Sequence, residues 1–259
     1  MKKIILLVAV AATIQACTKV ITPKLNNAVT QIVIQGAVSD TAGPYYVSIT
    51  RSVGFYEGNV FPPVSGAIVS IADNTAGTND VLSETSPGMY ITHSIQGIHG
   101  DTYSLKVMLD GQTYTATCTM PMPVALDSVS FEVSDTTQVR AQANFKDPAG
   151  TPNFYRYSIT INGVYDKRIQ AFSDRLSDGR YIRDKMDNDT MEIRKNDMVA
   201  LSLIGIDKNT FTYFNEAAKI AYSNASLAAP ATPTSNITGG CLGYFSAQTV
   251  STKKAVVKF

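Results

Sequence analysis

Two histidines, His93 and His99, are all that 259 residues contain, and their spacing matches neither a helical ligand pair nor a zinc set, so no metal centre is expected. A Gly-x-Ser-x-Gly nucleophile elbow is missing, and no carboxylate pair is singled out by its position, so no catalytic residue is assigned and the chain is read as a non-enzyme without a cofactor. Charge excess is missing too. With 22 basic and 21 acidic side chains the formal net charge is +1, no long run has one sign, and nucleic-acid binding is excluded as an expectation. A membrane helix needs about 20 apolar residues, and the longest apolar run here, Ile4 to Ala12, is too short to span.

That run has another use. Lys2 and Lys3 precede it, and Ile14-Gln15-Ala16-Cys17 closes it as a lipoprotein cleavage box, so residues 1–16 read as a secretory signal and Cys17 as the acylated first residue of the mature protein. Each buried methylene of an acyl chain contributes about 0.8 kcal/mol, and several chains hold a protein to a bilayer effectively for good. Removing 16 of 259 residues leaves 243, enough for one large or two ordinary domains with their own cores. Of three cysteines, Cys118 and Cys241 remain in an oxidising compartment, where they can pair. The plainer reading of Cys118 is a buried small side chain, since Tyr114, Ala116 and Cys118 share one strand face.

The dominant period along the chain is two. Thr102 to Leu109 places Tyr103, Leu105, Val107 and Leu109 on one face, Asp110-Gly111 follows, and Thr113 to Thr119 alternates again, which predicts a hairpin. Further strands are expected at Gln31–Val38, Tyr45–Thr50, Ala67–Ala72 and Met89–His93, separated by Gly, Pro, Asn and Asp clusters. Prolines interrupt the pattern at Thr119-Met-Pro-Met-Pro-Val124, where a boundary is placed. The expected order is a lipid-anchored linker over 17–29, a β-sandwich over 30–122, and a β-rich domain over 123–259. In the second part, strands are expected at Ser128–Val133, Val139–Phe145, Tyr155–Ile161 and Met198–Ile204. Asp166 to Arg194 alternates in charge sign and reads as a solvated hairpin. One helix is expected near 209–223, with Phe211, Phe214, Ala218, Ala221 and Tyr222 at helical spacing and Asn209 as its cap. Residues 223–240 read as a loop before a last strand, whose alternation at Ala255, Val257 and Phe259 also admits an outer-membrane barrel, a weaker signal than the cleavage box and helix.

Two surfaces are candidates for partner or ligand contact. Gly54 to Pro63 carries Phe55, Tyr56 and Phe61 outside any strand pattern, which suits a sticky loop tip or a flap folded over the sandwich edge. The charged segment offers Tyr165, Arg168 and Tyr181, with Arg175 and Arg180 between them.

The wording of several segments resembles a known family. Ala16-Cys17-Thr18-Lys19-Val20-Ile21, Ile32-Val33-Ile34-Gln35-Gly36, Val64-Ser65-Gly66-Ala67-Ile68-Val69, Gly88-Met89-Tyr90, Gly100-Asp101-Thr102-Tyr103-Ser104-Leu105 and, most specifically, Ser235-Asn236-Ile237-Thr238-Gly239-Gly240-Cys241-Leu242-Gly243-Tyr244-Phe245 look like the Bacteroidota lipoproteins of domain of unknown function 4249. The N-terminal pieces also resemble the transthyretin-like folds of carboxypeptidase-regulatory domains. The resemblance implies a transthyretin-like or immunoglobulin-like sandwich on an outer-membrane lipoprotein, often encoded beside a TonB-dependent receptor. It further implies a nutrient-uptake accessory with that receptor as partner; a structural envelope or adhesion scaffold is the alternative. Thr18-Lys19-Val20 lacks the acidic residues that often direct such proteins to the outer face, so the periplasmic and cell-surface faces both stay open. An ordinary apolar residue is expected where Cys241 stands, which favours its pairing with Cys118. The glycines of the block suit positive φ or close packing that presents Tyr244 and Phe245 to a core or a neighbour, because glycine loops cradle phosphate only ahead of a helix.

Overall fold

The computed structural model describes residues 29–54, 57–58, 60–133, 138–186, 191–222 and 232–258. The leader, Cys17, Phe55 and Tyr56 lie outside these residues. Among them are sixteen strands and one helix, so the protein is mostly β with a single packed helix, as the alternation predicts. A large sheet runs through the whole molecule. Its strands are β1 (Ile32–Ser39), β2 (Tyr46–Arg51), β5 (Ser83–Ser86), β6 (Met89–Ile91), β11 (Phe154–Ile161), β12 (Val164–Tyr165), β13 (Gln170–Ser173), β15 (Met198–Ile206) and β16 (Leu242–Val256). They are ordered β12-β11-β15-β16-β1-β2-β6-β5, with β13 also paired to β11.

Two smaller sheets cover one face. The first holds β3 (Ile68–Asp73), β4 (Thr78–Val81), β7 (Thr102–Leu109) and β8 (Gln112–Thr119), and the second β9 (Leu126–Val133), β10 (Val139–Lys146) and β14 (Tyr181–Lys185). Inward residues of β1 and β2 such as Ile34, Val47 and Ile49 meet Val69, Ile71, Leu105 and Val107 in one core. Tyr155, Tyr157, Ile159, Leu201 and Leu203 meet Leu126, Ala141, Ala143 and Phe145 in a second. Along the chain the two cores change over between Met120 and Val124, and Ile237, Cys241, Phe245 and Ala247 then return to the first. Each fully buried side chain of this size contributes about 1.5–3 kcal/mol, which is why alternation alone locates these strands.

The β7–β8 hairpin turns through Asp110 (φ 50°) and Gly111 (φ 76°), both left-handed, as the right-handed strand twist requires of a two-residue turn. The last strand does what no local pattern announces. Its first half pairs in parallel with β1, from Val33 opposite Leu242 to Ser39 opposite Gln248, and its second half pairs antiparallel with β15. One strand therefore stitches both sandwiches into one sheet. Gly243 (φ 100°) permits the approach, since a Cβ there would lie 1.9 Å from the Ile34 carbonyl oxygen. Asn236 then stands in for a strand neighbour: its Nδ2 donates to the Phe245 carbonyl at 2.7 Å and its Oδ1 accepts the Phe245 amide at 2.9 Å.

Two expectations are corrected, and the open question of a disulfide is decided for the plainer reading of Cys118 as a buried small side chain. The helix α1 spans Lys208–Tyr222, but Asp207 caps it, accepting the Thr210 amide at 2.8 Å; Asn209 already lies inside the first turn. The charged segment is not a hairpin, because β13 pairs with β11 in the large sheet while β14 pairs with β10 in a small one. Apolar residues among the charges drive this, Phe172 stacking on Tyr155 and Tyr157 with centroids 5.2 and 4.8 Å away. Cys118 and Cys241 are free thiols. Cys118 instead donates to the Phe245 carbonyl at 2.8 Å, and burial pushes both thiols up, that of Cys241 to about 11, so they stay protonated and unreactive.

Candidate functional site

Carboxylates concentrate where β10 and β13 end. Asp147 follows β10 directly and Asp174 follows β13, so the two sandwich layers bring together residues far apart in the chain. Asp147 and Asp174 are 1% and 3% exposed, Asp178 is exposed, and one oxygen of each lies within 4.8 Å of the others. Protein donors already engage them. The Tyr155 hydroxyl donates to Asp147 Oδ1 at 2.6 Å, the Gly179 amide to Oδ2 at 3.0 Å, the Asn153 amide to Asp174 Oδ2 at 2.8 Å, and the Gly150 amide to Asp178 Oδ1 at 2.8 Å.

Burial raises the pKa of Asp174, and the neighbouring charges of Asp147 and Asp178 raise it further. The Tyr155 phenol is pushed up by burial and by Asp147. Beside this cluster opens a cavity of about 400 Å³ lined by Pro152, Phe154, Asp174, Arg175 and Asp178 among others. Hard oxygen ligands of this kind suit a calcium or magnesium ion, and the same atoms can share a proton between two carboxyls. No spacing pattern in the sequence flags these three aspartates, since their proximity depends on which strands end together.

Among the described residues, the contact residues expected from the sequence do not converge. Phe61 is 51% exposed on the first sandwich, where the flanks of its loop are tied down by Arg51 N–H to the Pro62 carbonyl at 2.9 Å and Val64 N–H to the Ile49 carbonyl at 2.9 Å. Phe55 and Tyr56, from the same loop, lie outside the described residues. Tyr165 sits on β12 at one edge of the large sheet, and Tyr181 sits on β14 in a different sheet. Arg168 lies over the ring of Tyr222 at the end of α1, 4.7 Å from its centroid. The two histidines are apart, His93 bonded to Ser83 at 2.8 Å and His99 to Asp40 at 3.0 Å.

The segment Asn236 to Phe245 is the most specific part of the resemblance. Gly239, Gly240 and Gly243 all adopt positive φ, Phe245 is fully buried, and Tyr244 packs on Phe214 of α1 at 4.7 Å between centroids. No helix among the described residues is long and apolar enough to cross a membrane. No curated protein matches the chain. The family model described as Domain of unknown function (DUF4249) matches residues 18–254, nearly the whole chain, and the protein belongs to that family.

Proposed function

We propose that this protein is an outer-membrane lipoprotein that serves a TonB-dependent uptake system by binding a ligand or docking on the receptor, without catalysing a reaction. The observation that carries the reading is the N-terminal sequence: a Lys-Lys pair, a short apolar run and Ala16-Cys17, with the family match starting one residue later at position 18. Acylation at Cys17 places the folded sandwiches at a bilayer surface, where the shared large sheet gives a rigid body for holding cargo beside a transporter. Mass spectrometry of the mature N-terminus is expected to find Cys17 acylated. Tagged protein solubilised in mild detergent is expected to bring down a TonB-dependent receptor. A bare Cys17 thiol, or recovery without a receptor, overturns the reading.

A further inference from the structure

Alongside α1, the outer face of the large sheet carries a groove of about 360 Å³, lined from β1, β2, β6 and β16 and the loop after β1. Register brings one row of side chains straight across it. Met89 is opposite Ser48, Ser48 opposite Gln35, and Gln35 opposite Tyr244, so the row crosses three strand spacings, about 14 Å. Tyr46, 56% exposed, lies one same-face step from Ser48 along β2, and Gln248 lies two such steps from Tyr244 along β16. The groove lining contains no Asp, Glu, Lys, Arg or His. Its polar equipment is amides and hydroxyls, and three tyrosines border it, Tyr45, Tyr46 and Tyr244, of which Tyr46 is the exposed one.

Two polar atoms on this face of β16 are buried and have no protein partner, Oε1 of Gln248 and Oγ of Ser246, the latter in a residue 0% exposed. Ser246 lies between Tyr244 and Gln248 on the same side of the strand. Buried polar atoms are nearly always bonded, so the unpaired amide oxygen of Gln248, the one of the two residues that lines the groove, leaves an acceptor that a turn of the side chain can offer to a donor from outside the protein. The lining selects the chemistry of that donor. A charged ligand would shed its hydration against a wall with no counter-charge, and an apolar one would strip water from the amides of Gln35 and Gln248 and leave the unpaired oxygen of Gln248 unsatisfied. A molecule rich in neutral hydroxyls, with apolar ring faces to lie on tyrosine, satisfies both demands.

We infer that this groove binds a neutral saccharide a few residues long. The inference rests on the ligand-binding half of the reading above and names the ligand class. It is tested by electrophoresis of the mature protein through native gels containing α-glucan, β-glucan, fructan, xylan, mannan or galactan, with polygalacturonate as the acidic counterpart. Retardation by a neutral polymer and not by polygalacturonate is expected. Tyr46→Ala and Gln35→Ala, both at exposed positions, each weaken that retardation at least tenfold. Gln248→Leu weakens it equally while the melting temperature of the free protein stays level or rises, because the buried oxygen removed has no partner to lose; a merely structural glutamine would lower it. No retardation by any neutral polymer, retardation by polygalacturonate alone, or wild-type retardation of Tyr46→Ala or Gln35→Ala overturns the inference. Receptor co-purification run on the same preparations separates the two readings. A receptor recovered without saccharide binding refutes the groove alone, and a missing receptor refutes the uptake role whatever the gels show.

Discussion

Replacing Gly243 by alanine tests the junction on which the large sheet depends. An added Cβ would stand 1.9 Å from the Ile34 carbonyl oxygen, 2.8 Å from its carbon and 3.0 Å from its nitrogen, all backbone atoms of a buried strand that cannot rotate away. Ordinary contact begins at 3.4 Å, so β1 and β16 must separate by about 1.5 Å locally. An N–H···O bond survives only over about 2.7–3.2 Å, so such a separation breaks neighbouring rungs of the parallel ladder. Two or three rungs at about 1 kcal/mol each, plus about 1–2 kcal/mol for an L-residue at positive φ, put the loss at about 3–5 kcal/mol. That is a large fraction of the ~5–15 kcal/mol that holds a typical domain. Gly240 supplies the control, with φ at 81° and nothing within 4 Å of an added Cβ, so Gly240→Ala retains only the backbone cost of about 1–2 kcal/mol. Urea unfolding followed by far-ultraviolet circular dichroism measures both. Equal losses in the two variants would refute the close-approach argument, since only the contact with Ile34 distinguishes them.

Other consequences are open to simpler measurements. Asp174 has a pKa raised above its unfolded value, so ionising it costs stability as pH climbs from near 3.8 through the raised value, and that cost persists at neutral pH. Asp178→Asn keeps an oxygen for the Gly150 amide but removes a like charge, so melting temperature at pH 7 rises and its decline with pH flattens; a fall at pH 7 would show that the charge is needed. Asp207→Ala removes the cap of α1 and costs about 1 kcal/mol by denaturant titration, whereas Asp207→Asn, still an acceptor for the Thr210 amide, costs much less. The buried thiols of Cys118 and Cys241 resist a thiol reagent in the native protein and both titrate once it is unfolded, and reductant leaves the melting temperature unchanged; a reductant-sensitive melt would restore the disulfide.

Local physics was readable wherever a residue's neighbours in the chain are also its neighbours in space. Tyr103, Leu105, Val107 and Leu109 alternate because one face of β7 is buried, Asp110-Gly111 turns because both positions need left-handed backbone, and Phe211 and Phe214 recur at helical spacing because one side of α1 lies on the sheet. At Gly243 the glycine alone announced a backbone requirement, while the strand that imposes it, β1 at Ile34, is distant in the chain and was not legible. The same reasoning missed the fate of Asp166 to Arg194, where the charge pattern outweighed Ala171, Phe172 and Ile182, although these few apolar side chains carry the segment into two different sheets.

What the amino-acid order determined alone is the β class, the β7–β8 hairpin, the helix and the break in the strand pattern at residues 120–124. The parallel pairing of β16 with β1, the meeting of Asp147, Asp174 and Asp178, and the row from Met89 to Tyr244 were decided only by tertiary structure. Each joins residues separated by tens to hundreds of positions. Periodicity reports which face of a strand is buried, while the choice of its partner is made by packing the two cores beneath one shared sheet.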